Sequence, residues 1–220
     1  MEISRIDRRL FLSSSLLTAF GLAAQTGAPG EVGGLPARAT PGDYQLQEKA
    51  GKFTIAADFV GHSVPTMQSP LTSEDYVCVE VAFYGPADTK LKLSFEEFSI
   101  KVNGKKNAIA SQQFGLVMKS LSDPEWIPEV PAEGPKSKTG LSTGGGGNAG
   151  DPKPLPPKMP FPLRRAMEQK AQKSALPEGE RALPVAGLVF FPYRGKDQSI
   201  QTVEFIYNGA AGKATMTFMR

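Results

Sequence analysis

The residues best suited to chemistry lie in Gly61-His62-Ser63-Val64-Pro65. This stretch begins like a nucleophile elbow, Gly-x-Ser-x-Gly, but ends in proline. A serine becomes a nucleophile when a base within hydrogen-bond reach takes its proton. His62 is the one histidine of the chain, so it would have to be that base for Ser63. Neighbouring side chains of an extended segment point to opposite sides, which keeps the two apart. A serine–lysine hydrolase is open in principle, and no lysine is nominated for it. His62 is therefore expected to be a solvated strand-end histidine.

Metal and phosphate chemistry have less to work with. Zinc needs three or four Cys, His or carboxylate ligands, and one histidine with one cysteine, Cys78, does not make a set. His62 and Met67 would suit copper(I), which accepts a thioether, but Met67 reads as a packing residue. No acidic run has the spacing of a calcium loop. Gly209 to Thr215, GAAGKAT, lacks the gap between glycines and the hydroxyl after lysine that a phosphate loop has, and it precedes a strand pattern. Glu96 and Glu97 are adjacent, so their carboxylates diverge in a strand unless a bulge re-aims them. No residue is nominated as catalytic, cofactor-binding or metal-binding, and no cofactor is expected.

What remains are side chains suited to binding. Trp126, the only tryptophan, lies in DPEWIPEVP and is expected to staple a loop to the core, with stacking on a sugar ring as the alternative. Phe190 to Tyr193, FFPY, has no polar gap. Either both its faces are buried, the favoured reading, or Phe191 and Tyr193 reach the surface. Arg164 and Arg165, with Lys170 and Lys173, give one segment a basic face against a single Glu168. That face is expected to be solvated, with an anionic envelope polymer or acidic partner as the alternative. Trp126, Phe191, Tyr193, Arg164 and Arg165 form the candidate binding surface.

The N-terminal segment bears on where such a surface would work. Arg8 and Arg9 precede an apolar run from Leu10 to Ala24, too short for a bilayer-spanning helix of roughly 20 residues. A basic head, a short apolar run and small residues after it describe a secretory signal peptide, here residues 1–27. Arg8-Arg9-Leu10-Phe11-Leu12 resembles the twin-arginine export signal, with Arg8, Arg9, Phe11 and Leu12 as its carriers. Asp7 and Ser13 depart from that pattern, so the choice between the two export routes stays open. The expected location is the periplasm or the exterior, with no transmembrane anchor after cleavage. Without residues 1–27, three of the 25 basic and two of the 22 acidic residues go, and the charge is about +2. A dedicated nucleic-acid binder is not indicated.

The elements that would position these residues are strands. KFTIAADFVG puts Phe53, Ile55, Ala57 and Phe59 on one side, and DYVCVEVAFYGP puts Val77, Val79, Val81 and Phe83 on one side. LKLSFEEFSIKV alternates through Leu91, Leu93 and Phe95, then shifts phase to Phe98, Ile100 and Val102, so a bulge or break is expected near Glu96-Glu97. Asn103-Gly104 is a hairpin turn signal, after which a poorly patterned strand is expected over Ala108 to Lys119. GLVFFPY, SIQTVEFIY and KATMTFM are three further strands. Residues 28–51 read as a flexible leader. Between Pro124 and Pro162 lie 10 of the 19 prolines, and residues 120–162 read as a disordered Pro/Gly-rich insertion. A short helix over 163–176 follows.

Residues 185–220 alone fall below the roughly 40 residues that fold without a disulfide or metal. They must complete sheets begun upstream, which makes 52–220 a single domain. About seven antiparallel strands then suggest an all-β, immunoglobulin-like sandwich, with a small barrel as runner-up. The segments DYVCVEVAFYGP, FSIKVNGKK, LPEGERALPVAGLVFFPY and VEFIYNGAAGKATMTF resemble a group of exported bacterial immunoglobulin-like sandwich proteins of unknown function. That resemblance implies a fold and an exported location, and no reaction. The function expected is a non-catalytic cell-envelope interaction module with a protein or envelope-polymer partner. The alternatives are a carbohydrate or small-ligand binder and, last, a hydrolase built on Ser63.

Overall fold

The computed structural model describes residues 33–128 and 158–220. The signal segment 1–27 and the central part of the Pro/Gly-rich stretch lie outside the described residues. The strands are β1 (Leu46–Ala50), β2 (Phe53–Gly61), β3 (Ser63–Val64), β4 (Leu71–Ser73), β5 (Tyr76–Tyr84), β6 (Lys90–Leu93), β7 (Phe98–Val102), β8 (Ile109–Ala110), β9 (Leu121–Ser122), β10 (Gly179–Ala182), β11 (Val185–Pro192), β12 (Thr202–Gly209) and β13 (Gly212–Met219). Helix α1 (Phe114–Val117) is one turn, and α2 (Phe161–Ser174) spans 14 residues.

Two four-stranded antiparallel sheets form the sandwich, ordered β1-β2-β5-β11 and β13-β12-β7-β8. In an immunoglobulin-type sandwich, strands A, B and E share one sheet and C, F and G the other. Here β2, β5 and β11 take the A, B and E places, and β7, β12 and β13 take C, F and G. Strand β8 flanks β7, as an added strand flanks C in the variable type. Among the described residues, no strand takes the D place beyond β11. The last three strands divide between the sheets: β11 pairs with β5, and β12 pairs with β7.

The core between the sheets follows the alternation of the sequence. Ile55, Ala57 and Phe59 of β2 and Val77, Val79, Val81 and Phe83 of β5 face Phe98, Ile100 and Val102 of β7 and Val203, Phe205 and Tyr207 of β12. The phase shift near Glu96-Glu97 is a break: β6 ends at Leu93, a 3-10 turn covers Phe95–Glu97, and β7 then joins the second sheet. That change of sheet is why both halves of the segment point inward. At the β7–β8 hairpin, Asn103 (φ 52°) and Gly104 (φ 67°) are both left-handed, as a type I′ turn requires.

The first sheet is covered on its other face too, so the structure has a third, partial layer. One half of that face, Cys78, Leu188 and Phe190, packs under Met167 and Ala171 of α2, with Val64, Leu71, Val117 and Leu121. The other half, Ala56, Ala82 and Ala186, packs under Tyr44. Burial on two sides explains why apolar residues occupy both faces of β5 and β11, with Glu80 the charged exception in β5.

Three expectations are corrected. The segment 28–51 is not a flexible leader over its described part: β1 pairs with β2 from Leu46 to Ala50, and Leu35 bridges Ala186. Its small residues let it lie flat on the alanine stripe of the sheet. The strand expected over Ala108–Lys119 is only Ile109–Ala110, after which the chain turns into α1. The insertion begins later and ends earlier than 120–162, since β9 pairs with β4 and α2 starts at Phe161.

Candidate functional site

The vacant D place is filled by three segments instead of a strand. Leu35 bridges Ala186, Ala175 bridges Leu188, and Gln112 bridges Phe190. The hydrogen bonds are Leu176 N–H to Leu188 O at 2.9 Å and Gln112 N–H to Phe190 O at 2.8 Å. The approach is close at Gly187, where a Cβ would lie 2.4 Å from Leu176 Cα. The open edge of β11 is thereby used up, as exposed strand edges usually are.

Because these segments meet β11 at single points, a groove of about 1080 Å³ remains between them. Leu188, Val189 and Phe190 of β11 line it. Gln169, Gln172 and Lys173 of α2 stand on one wall and Gln112, Gln113 and Phe114 on the other. The corner after β6 closes one end, where Glu178 accepts the Phe95 N–H at 3.2 Å. Binding clefts run to roughly 300–1,000 Å³ with apolar walls and a few placed polar groups. This groove is slightly above that range and richer in amides. A side-chain amide offers both donors and an acceptor, so such walls suit a ligand carrying many neutral polar groups, such as a peptide or a sugar chain.

A second polar cluster is internally satisfied. Asp58 and Glu80 lie opposite each other in the β2–β5 register, on the face away from the main core. Arg38 Nη2 reaches Asp58 Oδ2 at 2.6 Å and Glu80 Oε2 at 3.1 Å, and its guanidinium stacks 4.1 Å from the Tyr44 ring centroid. The Gln45 N–H donates to Asp58 Oδ1, and Tyr84 Oη donates to Arg38 O at 2.8 Å. Burial holds the Glu80 carboxyl above its ordinary range; the Arg38 charge opposes this, and the Asp58 charge adds to it by less. The cluster fastens the arm before β1 to the sheet.

The candidate binding residues do not converge. Phe191 is wholly buried, edge-on to Phe205 at 6.3 Å, so its place in a binding surface is corrected: the sandwich core holds it. Trp126 is half-buried in a turn, its N–H donating to Asp123 O at 3.1 Å. Tyr193 is half-buried on the loop after β11, beside a shallow dent formed with Asp75, Tyr76 and Arg194. Arg164 and Arg165 are exposed on α2, Arg164 3.5 Å from Glu168. None of the five lines the groove. His62 is not solvated: Nδ1 lies 2.8 Å from Ser73 O and Nε2 2.7 Å from Gly195 O, and neither nitrogen is directed at Ser63. The glutamines were missed because they match no catalytic pattern. The available signal was Gln169 and Gln172, three apart on a helix and hence on one face.

Among the described residues, no group of three or more His, Cys, Asp or Glu is placed to hold a metal ion, and no helix is long and apolar enough to cross a membrane. Comparisons of the chain with family models, curated proteins and solved structures find no match.

Proposed function

We propose that the protein is an exported, non-catalytic interaction module of the cell envelope, and that the groove beside β11 is its contact face. The observation that carries this reading is the groove itself: a cleft of about 1080 Å³ at the edge of β11, lined by side-chain amides and apolar residues with a few charged ones. The twin-arginine-like segment supports export. The engagement of both His62 nitrogens by backbone carbonyls speaks against a Ser63 hydrolase. A carbohydrate is the second reading of the occupant, favoured by the same amides together with Phe95 and Phe114.

Photo-crosslinking residues placed at Gln113 and Gln169 test the proposal, with Lys213 on β13 as the control position. Exported protein should yield one common envelope adduct from both groove positions and none from Lys213. Gly115→Trp should abolish it, because Gly115 lines the groove and has open space where a side chain would start. Adducts that form equally at Lys213, or none from either groove position, would refute the assignment. Digestion of the adduct with protease or glycosidase separates the two occupants.

A further inference from the structure

The imidazole of His62 meets two acceptors. Nδ1 faces Ser73 O at 2.8 Å and Nε2 faces Gly195 O at 2.7 Å. A carbonyl oxygen only accepts, and a neutral imidazole carries one N–H. Both contacts are therefore hydrogen bonds only when the ring is an imidazolium. In the neutral ring, one nitrogen lone pair would face a carbonyl oxygen at under 3 Å.

The surroundings are built around this ring. Gly61 ends β2 with φ 67°, and the Asp197 carboxylate sits where its Cβ would be, at 2.7 Å. Asp197 Oδ1 accepts the His62 N–H at 3.3 Å and lies 3.9 Å from His62 Nε2. Arg220 approaches the same oxygen at 4.0 Å and donates to Asp197 O at 3.1 Å. On the other side, Arg194 pairs with Asp75 at 2.8 Å, and Tyr193 N–H donates to Asp75 O at 2.8 Å. The Tyr193 ring stands 6.2 Å from the imidazole and covers Gly195, where a Cβ would lie 2.5 Å from Tyr193 Oη.

We propose that His62 is a pH-operated clamp: as imidazolium it ties the loop 193–199 to β4, and on losing a proton to water it lets the Gly195 side of that loop go. The two carbonyls are not equally held. Ser73 lies in β4 and pairs with Leu121 of β9, so its carbonyl is fixed by strand structure. Gly195 lies in a loop, so its carbonyl is the one that yields. Because the Tyr193 ring rests on Gly195, release re-presents Tyr193 and opens the dent it shares with Asp75, Tyr76 and Arg194. Acidic conditions close this face and alkaline conditions open it. The clamp is separate from the groove beside β11 and does not depend on what binds there.

The single histidine makes the test direct, since every imidazole signal belongs to His62. Nitrogen-15 NMR of the whole protein across a pH series follows the ring and the loop amides together. The expected result is two ring N–H signals at the acid end and loop amides, Arg194 to Ser199, that move along the same curve as the ring. His62→Gln, neutral throughout, should show the alkaline loop signals at every pH. Asp197→Asn should move the loop transition to lower pH by a few tenths of a unit, the scale of a partly exposed ion pair. Loop signals that ignore pH in the natural protein, or that keep their response in His62→Gln, overturn the proposal. Should His62→Gln fail to fold, the agreement or disagreement of the ring and loop curves in the natural protein decides.

Discussion

Arg38 stands between two carboxylates that face each other across β2 and β5, and Arg38→Ala measures what that position is worth. The side chains of Asp58 and Glu80 are 12% and 10% exposed, and that of Arg38 is 34% exposed. Removing one partner of a fully buried pair costs about 3–5 kcal/mol, because the charge left behind is uncompensated. An exposed pair is worth about 0–1 kcal/mol. Two well-buried anions losing a cation that is one-third exposed fall between these limits, and the lost stacking on Tyr44 adds about 0.5–1 kcal/mol. The expected destabilisation at pH 7 is about 2–4 kcal/mol by urea unfolding, a large part of a domain's usual 5–15 kcal/mol. Its pH dependence is the sharper test. Burial and Asp58 raise the Glu80 carboxyl in the folded state, so the unfolded chain gives up that proton at lower pH than the folded one. Stability contributed by this group is full in acid and declines as pH rises through the interval between the two states. Without Arg38, which lowers Glu80, the interval widens. The deficit of Arg38→Ala should therefore shrink in acid, as Glu80 takes up its proton, and Glu80→Gln should restore part of the stability at pH 7. A deficit that is unchanged or larger in acid would refute the electrostatic reasoning and leave lost packing as the explanation.

Other variants test other parts of the structure. Phe191→Ala should cost about 3–5 kcal/mol in urea unfolding, as truncation of a fully buried phenylalanine does; a surface residue would cost almost nothing. The Cys78 thiol is wholly buried, and burial raises it far above the ordinary thiol range, so it should resist a thiol reagent at pH 8 in folded protein and react on unfolding. Tyr207 accepts the Ala211 N–H at 3.0 Å across the β12–β13 turn. Tyr207→Phe should lose about 1 kcal/mol, and ultraviolet titration should find this phenol, pushed up to about 12 by burial, ionising late.

The sandwich was legible because its strands carry their own evidence. Alternation in β2 and β5, the phase change at Glu96-Glu97 and the turn at Asn103-Gly104 are local signals with one structural meaning each, and the size of the last segment forced β11 and β12 into the upstream sheets. The arm around Arg38 was not legible. Its glycine, proline and alanine content is that of a linker, and only the alanine stripe it lies on, assembled from Ala56, Ala82 and Ala186, gives it a place. The groove was invisible for a related reason. Its walls come from residues 112–114 and from α2, which no sequence period connects, and they are neighbours only because both reach the edge of β11. In the sequence His62 looks like a solvated end residue because the carbonyl of Gly195 approaches from 133 positions away.

The fastening of β11 has a consequence for self-association. A bare strand border invites a second chain to add its own strand, the first step toward fibrous aggregates. Here the border is held at Ala186, Leu188 and Phe190 by three segments from different parts of the chain. Loosening any single one would bare only a short piece between two that stay shut, too little for an incoming chain to dock along. The protein can therefore let one of these segments move without becoming a template for its own precipitation.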